Sequence, residues 1–484
     1  MDRTISEFSP TRKNWRRWLL LVPALAIGAV AAVAGIRQFT DWGAYTSPAF
    51  WQHEGRMSEK EYTGLSLASK TRVVRVASES LAAPGWDQER VWSGYDDWEP
   101  TVAVQPNSNT VYQLTTRYNG PKACTGCPLP VIILRRSIDG GATWQADKFI
   151  PATKYKKNDP ELQVASDGTL YLAWMDEYKP GIRFSKSSNG GTTWSAPLSV
   201  TPSKGTPNWG DKPLLLISPS GQDVYIGFNA SDAYVASSHN YGASFAAPVK
   251  TNNDTRYWFH TGGVVAPNGN VYFVTSDFSQ DYTGDANIRV LRSNNGGTSW
   301  SVLNVDVSKE MPDCPWAVGC TFGFFGTIAG IGVDSAGKLM VAYNANNSVR
   351  APMQLYARTS IDGGASWSPR MNIGGGATVN HHSVQVVGGP AGDFAVVWQD
   401  DRMGANVSWN AWFRHTANGG TNWDSPLRLS DLATGAPYKS ANGHGFPYGD
   451  YLGVARDYLG VYHVVWGEGL SYTGPGGTWY TRGH

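Results

Sequence analysis

Four carboxylic acids, Glu99, Asp159, Asp211 and Asp450, each open a short apolar run of strand-like composition. His260, His381 and His382 open two further runs of the same kind. Side chains at matching places in repeated strands meet where those strands converge, so these seven are expected to share one face. Carboxyl groups paired around one bond are what glycoside hydrolysis needs, one as acid and the other as base or nucleophile. Glu99, Asp159, Asp211 and Asp450 are the acid–base candidates on that reading. Tyr448, two residues before Asp450, could be the nucleophile if a carboxylate takes its proton. A histidine from the set, working with a tyrosine, would suit an eliminative step instead. A ring of carboxylate oxygens also suits Ca²⁺, which takes roughly six to eight oxygen ligands. Ca²⁺ is the one cofactor suggested, and no metal-ligand set is assigned. The competing reading is structural: the same groups would bond neighbouring strands and line a solvated opening.

A second set falls at the ends of the following strands: Arg117, Asp176, Glu177, Asp277, Asp400, Asp401, Arg402 and Glu468. Arg402 could hold a carboxylate or sulfate through two parallel hydrogen bonds, with Arg256 beside it; the alternative is an ion pair with its own neighbours. Trp209, Trp258 and Trp316 stand out among the aromatics of the same loops, whose faces suit the C–H surface of a sugar ring. His260 and His382 would join them in substrate binding. The plainer role for each tryptophan is to cover an end of the core.

Such groups need a repeating scaffold, and the sequence contains one. Ser137-Ile138-Asp139-Gly140-Gly141-Ala142-Thr143-Trp144 returns as Ser187 to Trp194, Ser238 to Phe245, Ser293 to Trp300, Ser360 to Trp367 and Thr416 to Trp423. The closing aromatics are 50, 51, 55, 67 and 56 residues apart. Asp139, Asn189, Asn240, Asn295, Asp362 and Asn418 occupy the turn position. Such side chains bond the backbone of their own turn, and the glycines supply positive φ at no steric cost. Catalysis is not expected of them. Three strands precede each turn, as in Glu99–Val104, Val111–Thr115 and Val131–Arg135, and a short fourth follows near Phe149. Four strands per unit of about 40–55 residues is the pattern of a β-propeller blade. Seven units carry the first three strands and six carry the glycine turn. The sequence therefore predicts an all-β, seven-bladed propeller, or six-bladed if one unit is decoration. The missing outer strand of the last blade is expected from residues 71–79, which removes an exposed sheet edge.

The six turns resemble the Asp-box, or BNR repeat, and the chain over residues 71–484 is similar to the sialidase-like superfamily of propellers. That resemblance implies the propeller fold; its members include sialidases, other glycosidases, polysaccharide lyases, sorting receptors and assembly factors. Sialidases begin their first inner strand with Arg-Ile-Pro, the arginine binding the sialic acid carboxylate. Here that place reads Trp98-Glu99-Pro100. A carboxylate would repel the ligand, so the departure counts against authentic sialidase activity.

The N-terminus bears Arg12, Lys13, Arg16 and Arg17 before the apolar run Trp18 to Gly35, with a cleavage-like Ala32-Val33-Ala34. Residues 1–37 are read as a signal peptide or signal anchor, and 38–70 as a linker or arm. The remainder is expected outside the cytoplasm, periplasmic or extracellular, tethered to the membrane if the segment is uncleaved. Cys124/Cys127 and Cys314/Cys320 form two close pairs, read as two local disulfides in an oxidising compartment; a redox or metal pair is the alternative. Forty basic and 39 acidic residues leave a net charge of +1, without a basic stripe beyond the N-terminus, which excludes nucleic acid as a partner. Glycine (55 of 484 residues) and tryptophan (21) are abundant and charged residues make only 16%, which excludes coiled coil and disorder. The functional expectation is an exported carbohydrate-active hydrolase of undefined substrate. Its rival is a non-catalytic propeller at the envelope, binding a glycan or protein, or serving as a subunit of a membrane complex.

Overall fold

The computed structural model describes residues 82–91, 95–150, 154–280, 284–312, 327–376, 379–403, 408–431, 436–437, 452–469 and 476–484. The N-terminal apolar segment lies outside them. Seven antiparallel sheets follow one another along the chain. Their inner strands are Asp96–Val104, Lys157–Val164, Asp211–Ile217, Tyr257–Val265, Ala329–Val333, His381–Gly388 and Gly453–Arg456. Each packs against the next, and the seventh packs against the first, so the ring is closed. The chain is a seven-bladed β-propeller of four-stranded blades, with one short extra strand, Ala436–Pro437, on the sixth.

The core lies between blades. Second strands such as Val111–Asn119 and Leu170–Asp176 are buried along their whole length, since sheets cover both faces. Leu170–Asp176 therefore reads as a nearly continuous apolar run, whereas Val111–Asn119 also buries Gln113, Thr115, Thr116, Arg117 and Asn119. Between the first two blades, Leu114, Ile132 and Leu134 meet Leu162, Leu172 and Trp174.

All six glycine turns are held alike. Ser137 Oγ donates to Asp139 Oδ1 at 2.7 Å and accepts from Gly141 N at 2.8 Å; Asp139 Oδ1 accepts from Thr143 N at 2.9 Å. The bonds to Thr143 hold the Asp139 carboxyl down to about 2. A Cβ on Gly141 would lie 1.9 Å from the Tyr480 hydroxyl, so the second glycine lets the turn press on the preceding blade. Trp144 then packs edge-on against Tyr480, with centroids 5.0 Å apart. Since strand direction alternates, these turns lie at the end opposite the mouth, where inner strands begin.

Strands from both ends of the chain complete the seventh blade. Arg90 and Val91 pair with Tyr480 and Trp479, and Trp86 bridges Gly483. Trp86 is buried against Phe413, with centroids 4.9 Å apart. The place expected for 71–79 is thus filled by Arg90–Val91, whose two residues are too few for a visible pattern; 71–79 lie outside the described residues.

Candidate functional site

The mouths of the first three inner strands share a device. Each carries a bulge between consecutive ladder pairs: Trp98/Thr101, Asn158/Glu161 and Asp211/Leu214. Inside each bulge one residue is left-handed, namely Glu99 (φ 56°), Asp159 (φ 53°) and Lys212 (φ 43°). A proline follows each of them: Pro100, Pro160 and Pro213. Left-handed backbone is costly for a residue with a Cβ, and such strain persists where the surroundings impose it. The sixth blade repeats the bulge at Ser383 (φ 53°) without proline.

Register corrects part of the expected ring. Glu99 and Asp159 are equivalent, as read from sequence. The equivalent residue of the third blade is Lys212, and Asp211 precedes it; in the sixth it is Ser383, and His382 precedes it. In both blades the reading fell on the acid or histidine one place before the left-handed residue of the bulge.

Hydrogen bonds join the first two mouths. The Tyr118 hydroxyl, at the end of the second strand of blade one, donates to Glu99 Oε1 at 2.7 Å and accepts from Asn158 Nδ2 at 2.9 Å. The Asp159 amide donates to Glu99 Oε2 at 3.4 Å. Burial and then the charges of Glu99 and Asp159 raise the Tyr118 pKa, so this tyrosine keeps its proton. Glu161 follows two residues after Asp159 and keeps partial exposure. Burial raises its pKa to about 8, against the pull of Lys212, and Asp159 raises it further. At neutral pH Glu161 is therefore a carboxylic acid near the Asp159 carboxyl, the separation of roles that acid–base chemistry uses. Glu99, Asp159 and Lys212 are 6%, 7% and 4% exposed.

The remaining candidates are dispersed. Arg402 binds Asp400, donates through Nη2 to the Gly374 carbonyl at 2.8 Å, and lies 4.1 Å over the Trp412 ring. Arg256 binds Asp277 and the Asp285 carbonyl. Both arginines are thus held by the fold. Trp258 is buried and donates to Asp254 at 2.6 Å, so its faces are covered. Trp209 is partly buried against Tyr178. His260 is fully buried and burial lowers its pKa to about 3. His381 Nδ1 lies 3.0 Å from the Met353 carbonyl, which it bonds as a donor. His382 Nδ1 lies 2.7 Å from Ser383 Oγ; burial, then the Lys212 charge, holds the ring neutral. Asp450, Tyr448, Trp316, Cys314 and Cys320 lie outside the described residues; Cys124–Cys127 is a disulfide. Among the described residues no group of three or more His, Cys, Asp or Glu could hold a metal ion.

Tyr118, Asn158, Glu161 and Lys212 were not among the expected site residues. The available signal was the recurrence of Glu99-Pro100, Asp159-Pro160 and Lys212-Pro213 at the same stage of three successive units. Three further rim acids share another signal. Trp174, Trp398 and Trp466 donate their indole N–H to Asp176, Asp400 and Glu468, two residues on, at 2.7, 2.7 and 2.8 Å. Asp176 also binds Lys157 at 3.2 Å.

No protein-family model matches the sequence, and neither does any curated protein. Among solved structures, one of unknown function from Dyadobacter fermentans aligns at 14% identity and TM-score 0.49, over 82% of this chain and 99% of its own. A polysaccharide lyase of family 25, an ulvan lyase, aligns at 13% and 0.48, over 79% and 94%. The α-L-arabinanase of Penicillium chrysogenum, complexed with arabinobiose, aligns at 15% and 0.41, over 83% and 98%.

Proposed function

We propose that the chain is a carbohydrate-active propeller, a glycosidase whose acid–base groups are Asp159 and Glu161, positioned by Glu99, at the mouths of the first two inner strands. The observation that carries this reading is the cluster joining Glu99 to Asp159 through Tyr118 and Asn158, beside a Glu161 that holds its proton at neutral pH. In the proposed step Glu161 gives its proton to the glycosidic oxygen as the bond from the anomeric carbon breaks. Asp159 takes a proton from the water that attacks that carbon, and Glu99, bonded by Tyr118, fixes the position of Asp159. The substrate is a neutral glycan, since Arg256 and Arg402 are consumed in ion pairs and the first inner strand offers Glu99 where a sialidase has arginine. The six glycine turns are Asp-boxes on this reading, and the N-terminal apolar run exports the chain to the periplasm or beyond.

A glycan panel on the full-length chain tests this, scoring both released sugar and retained ligand. Sugar released by the native chain and lost in Glu161→Gln and Asp159→Asn supports it, with turnover falling about 10²–10⁴-fold. Retention without product makes the chain a binding module. Absence of both signals across neutral glycans overturns the carbohydrate reading.

A further inference from the structure

The loop between the second and third strands of blade one, residues 120–130, is tied to the candidate site at both ends. Its first end follows Asn119, next to Tyr118, whose hydroxyl holds Glu99. Its other end is Pro130, whose carbonyl accepts the Lys157 amide at 2.9 Å, two residues before Asp159. Between them runs Cys124-Thr125-Gly126-Cys127, closed by the Cys124–Cys127 disulfide and by the Cys127 amide donating to the Cys124 carbonyl at 3.1 Å. Residues 121–126 are exposed, Cys124 among them, whereas Cys127 is only 6% exposed.

A disulfide stabilises a fold mainly by restricting the open chain, and the restriction grows with the length of the loop closed. A bridge across two intervening residues restricts little, so global stability is a weak account of it. The unequal exposure fits exchange chemistry: one sulfur open to an incoming thiolate, its partner shielded. We propose that Cys124–Cys127 is a thiol–disulfide exchange site whose redox state sets the order of the loop, and through it the positions of Glu99 and Asp159. This rests on the proposed site as the thing regulated, but the exchange itself does not.

The co-reactant is a dithiol. One thiolate attacks Cys124 Sγ, forming a mixed disulfide while Cys127 leaves as a thiolate and takes up a proton. The second thiol of the reagent then attacks its own sulfur in the mixed bond and releases Cys124. Two electrons and two protons pass from dithiol to protein, and the reagent leaves as its cyclic disulfide. Once reduced, residues 120–130 keep only the turn hydrogen bond within them, and the strand ends on either side loosen.

The test treats the folded full-length chain with dithiothreitol, alkylates it, and maps the modified peptides, which separates this pair from Cys314 and Cys320. Amide exchange is followed in parallel. Both cysteines should become alkylated without unfolding, and exchange at residues 116–119 and 157–159 should quicken at least tenfold, with blades four to six unchanged. A Cys124→Ser/Cys127→Ser variant should reproduce the quickened exchange without reductant. Alkylation only after denaturation overturns the exchange site. Ready alkylation with unchanged exchange overturns the coupling. Neither readout needs a substrate, so a failed glycan panel and a failed redox test are separate results.

Discussion

The inner ring is built in two ways. In the first three blades the inner strands carry three, three and two charged residues and no glycine. In the last four they carry six glycines and a single charged side chain, Arg456. The glycines let backbone meet backbone. A Cβ on Gly330 would lie 2.7 Å from Gln385 Cα, and one on Gly388 would lie 2.0 Å from the Val333 carbonyl oxygen. Strands that close leave no room between them for a reacting group. The first three blades fill the same part of the ring with side chains, strain three of them into left-handed backbone, and gather acids and a lysine there. Close packing and chemistry thus divide one ring; Ser383 is strained among the glycines too, so it is strain together with gathered charge that marks the first three blades for function.

Substitutions can break this contrast. The largest stability loss should come from Arg117→Met. Arg117 and Asp97 are buried beside Glu99, with bonds of 2.7 and 2.9 Å, and the change strands a carboxylate. A loss of about 4 kcal/mol is expected in urea unfolding. Gly388→Ala should follow at about 3 kcal/mol, since the new methyl group meets backbone that cannot turn aside. A harmless alanine there would refute close packing as the reason for the glycines.

Proton linkage separates two kinds of buried group by sign, raised carboxyls and lowered histidines. Glu161 and Glu468 have pKa values raised to about 8 in the fold, from 4.5. The folded chain then holds protons that the open chain has lost, so stability should fall as pH rises from about 4.5 to 8. His260, lowered from 6.5 to about 3 by burial, does the reverse: its contribution is lost as pH falls below 6.5. Each proton is worth about 1.4 kcal/mol per pH unit where the two states differ fully. Melting curves across pH should therefore lose part of their alkaline slope in Glu161→Gln and part of their acid slope in His260→Phe. A slope unchanged by Glu161→Gln would show that this carboxyl is not held protonated.

The smallest effect isolates strain. Asp159→Gly should be more stable than Asp159→Ala by about 1 kcal/mol, because both lose the carboxylate and only glycine accepts φ 53° freely. The order would invert at an ordinary strand position.

The sequence made the blades legible because each unit repeats a turn whose chemistry is local: serine, asparagine or aspartate, and paired glycines need no distant partner. Glu99 and Asp159 were legible as mouth residues for the same reason. Lys212 and Ser383 were hidden because the residue just before each, Asp211 and His382, is itself a chemistry-bearing type and drew the reading one place early. Tyr118 was hidden because its partner Glu99 is on another strand, and nothing around Tyr118 marks the strand end as special. Arg256 and Arg402 looked like ligand clamps because a sequence displays their charge but not the carboxylates that neutralise it. Arg90–Val91 was too short to show a period.

The measurement that bears most directly on the division of the ring compares turnover in two matched variants of the full-length chain, Glu99→Gln from the charged half and Gln385→Glu from the glycine half. Each changes one amide–carboxylate identity at an inner strand. Sugar release from a glycan that the native chain cleaves should fall at least a hundredfold in Glu99→Gln, with melting little changed, while Gln385→Glu loses stability more than activity. Full turnover in Glu99→Gln, or a loss confined to Gln385→Glu, would contradict the assignment of chemistry to the first three blades.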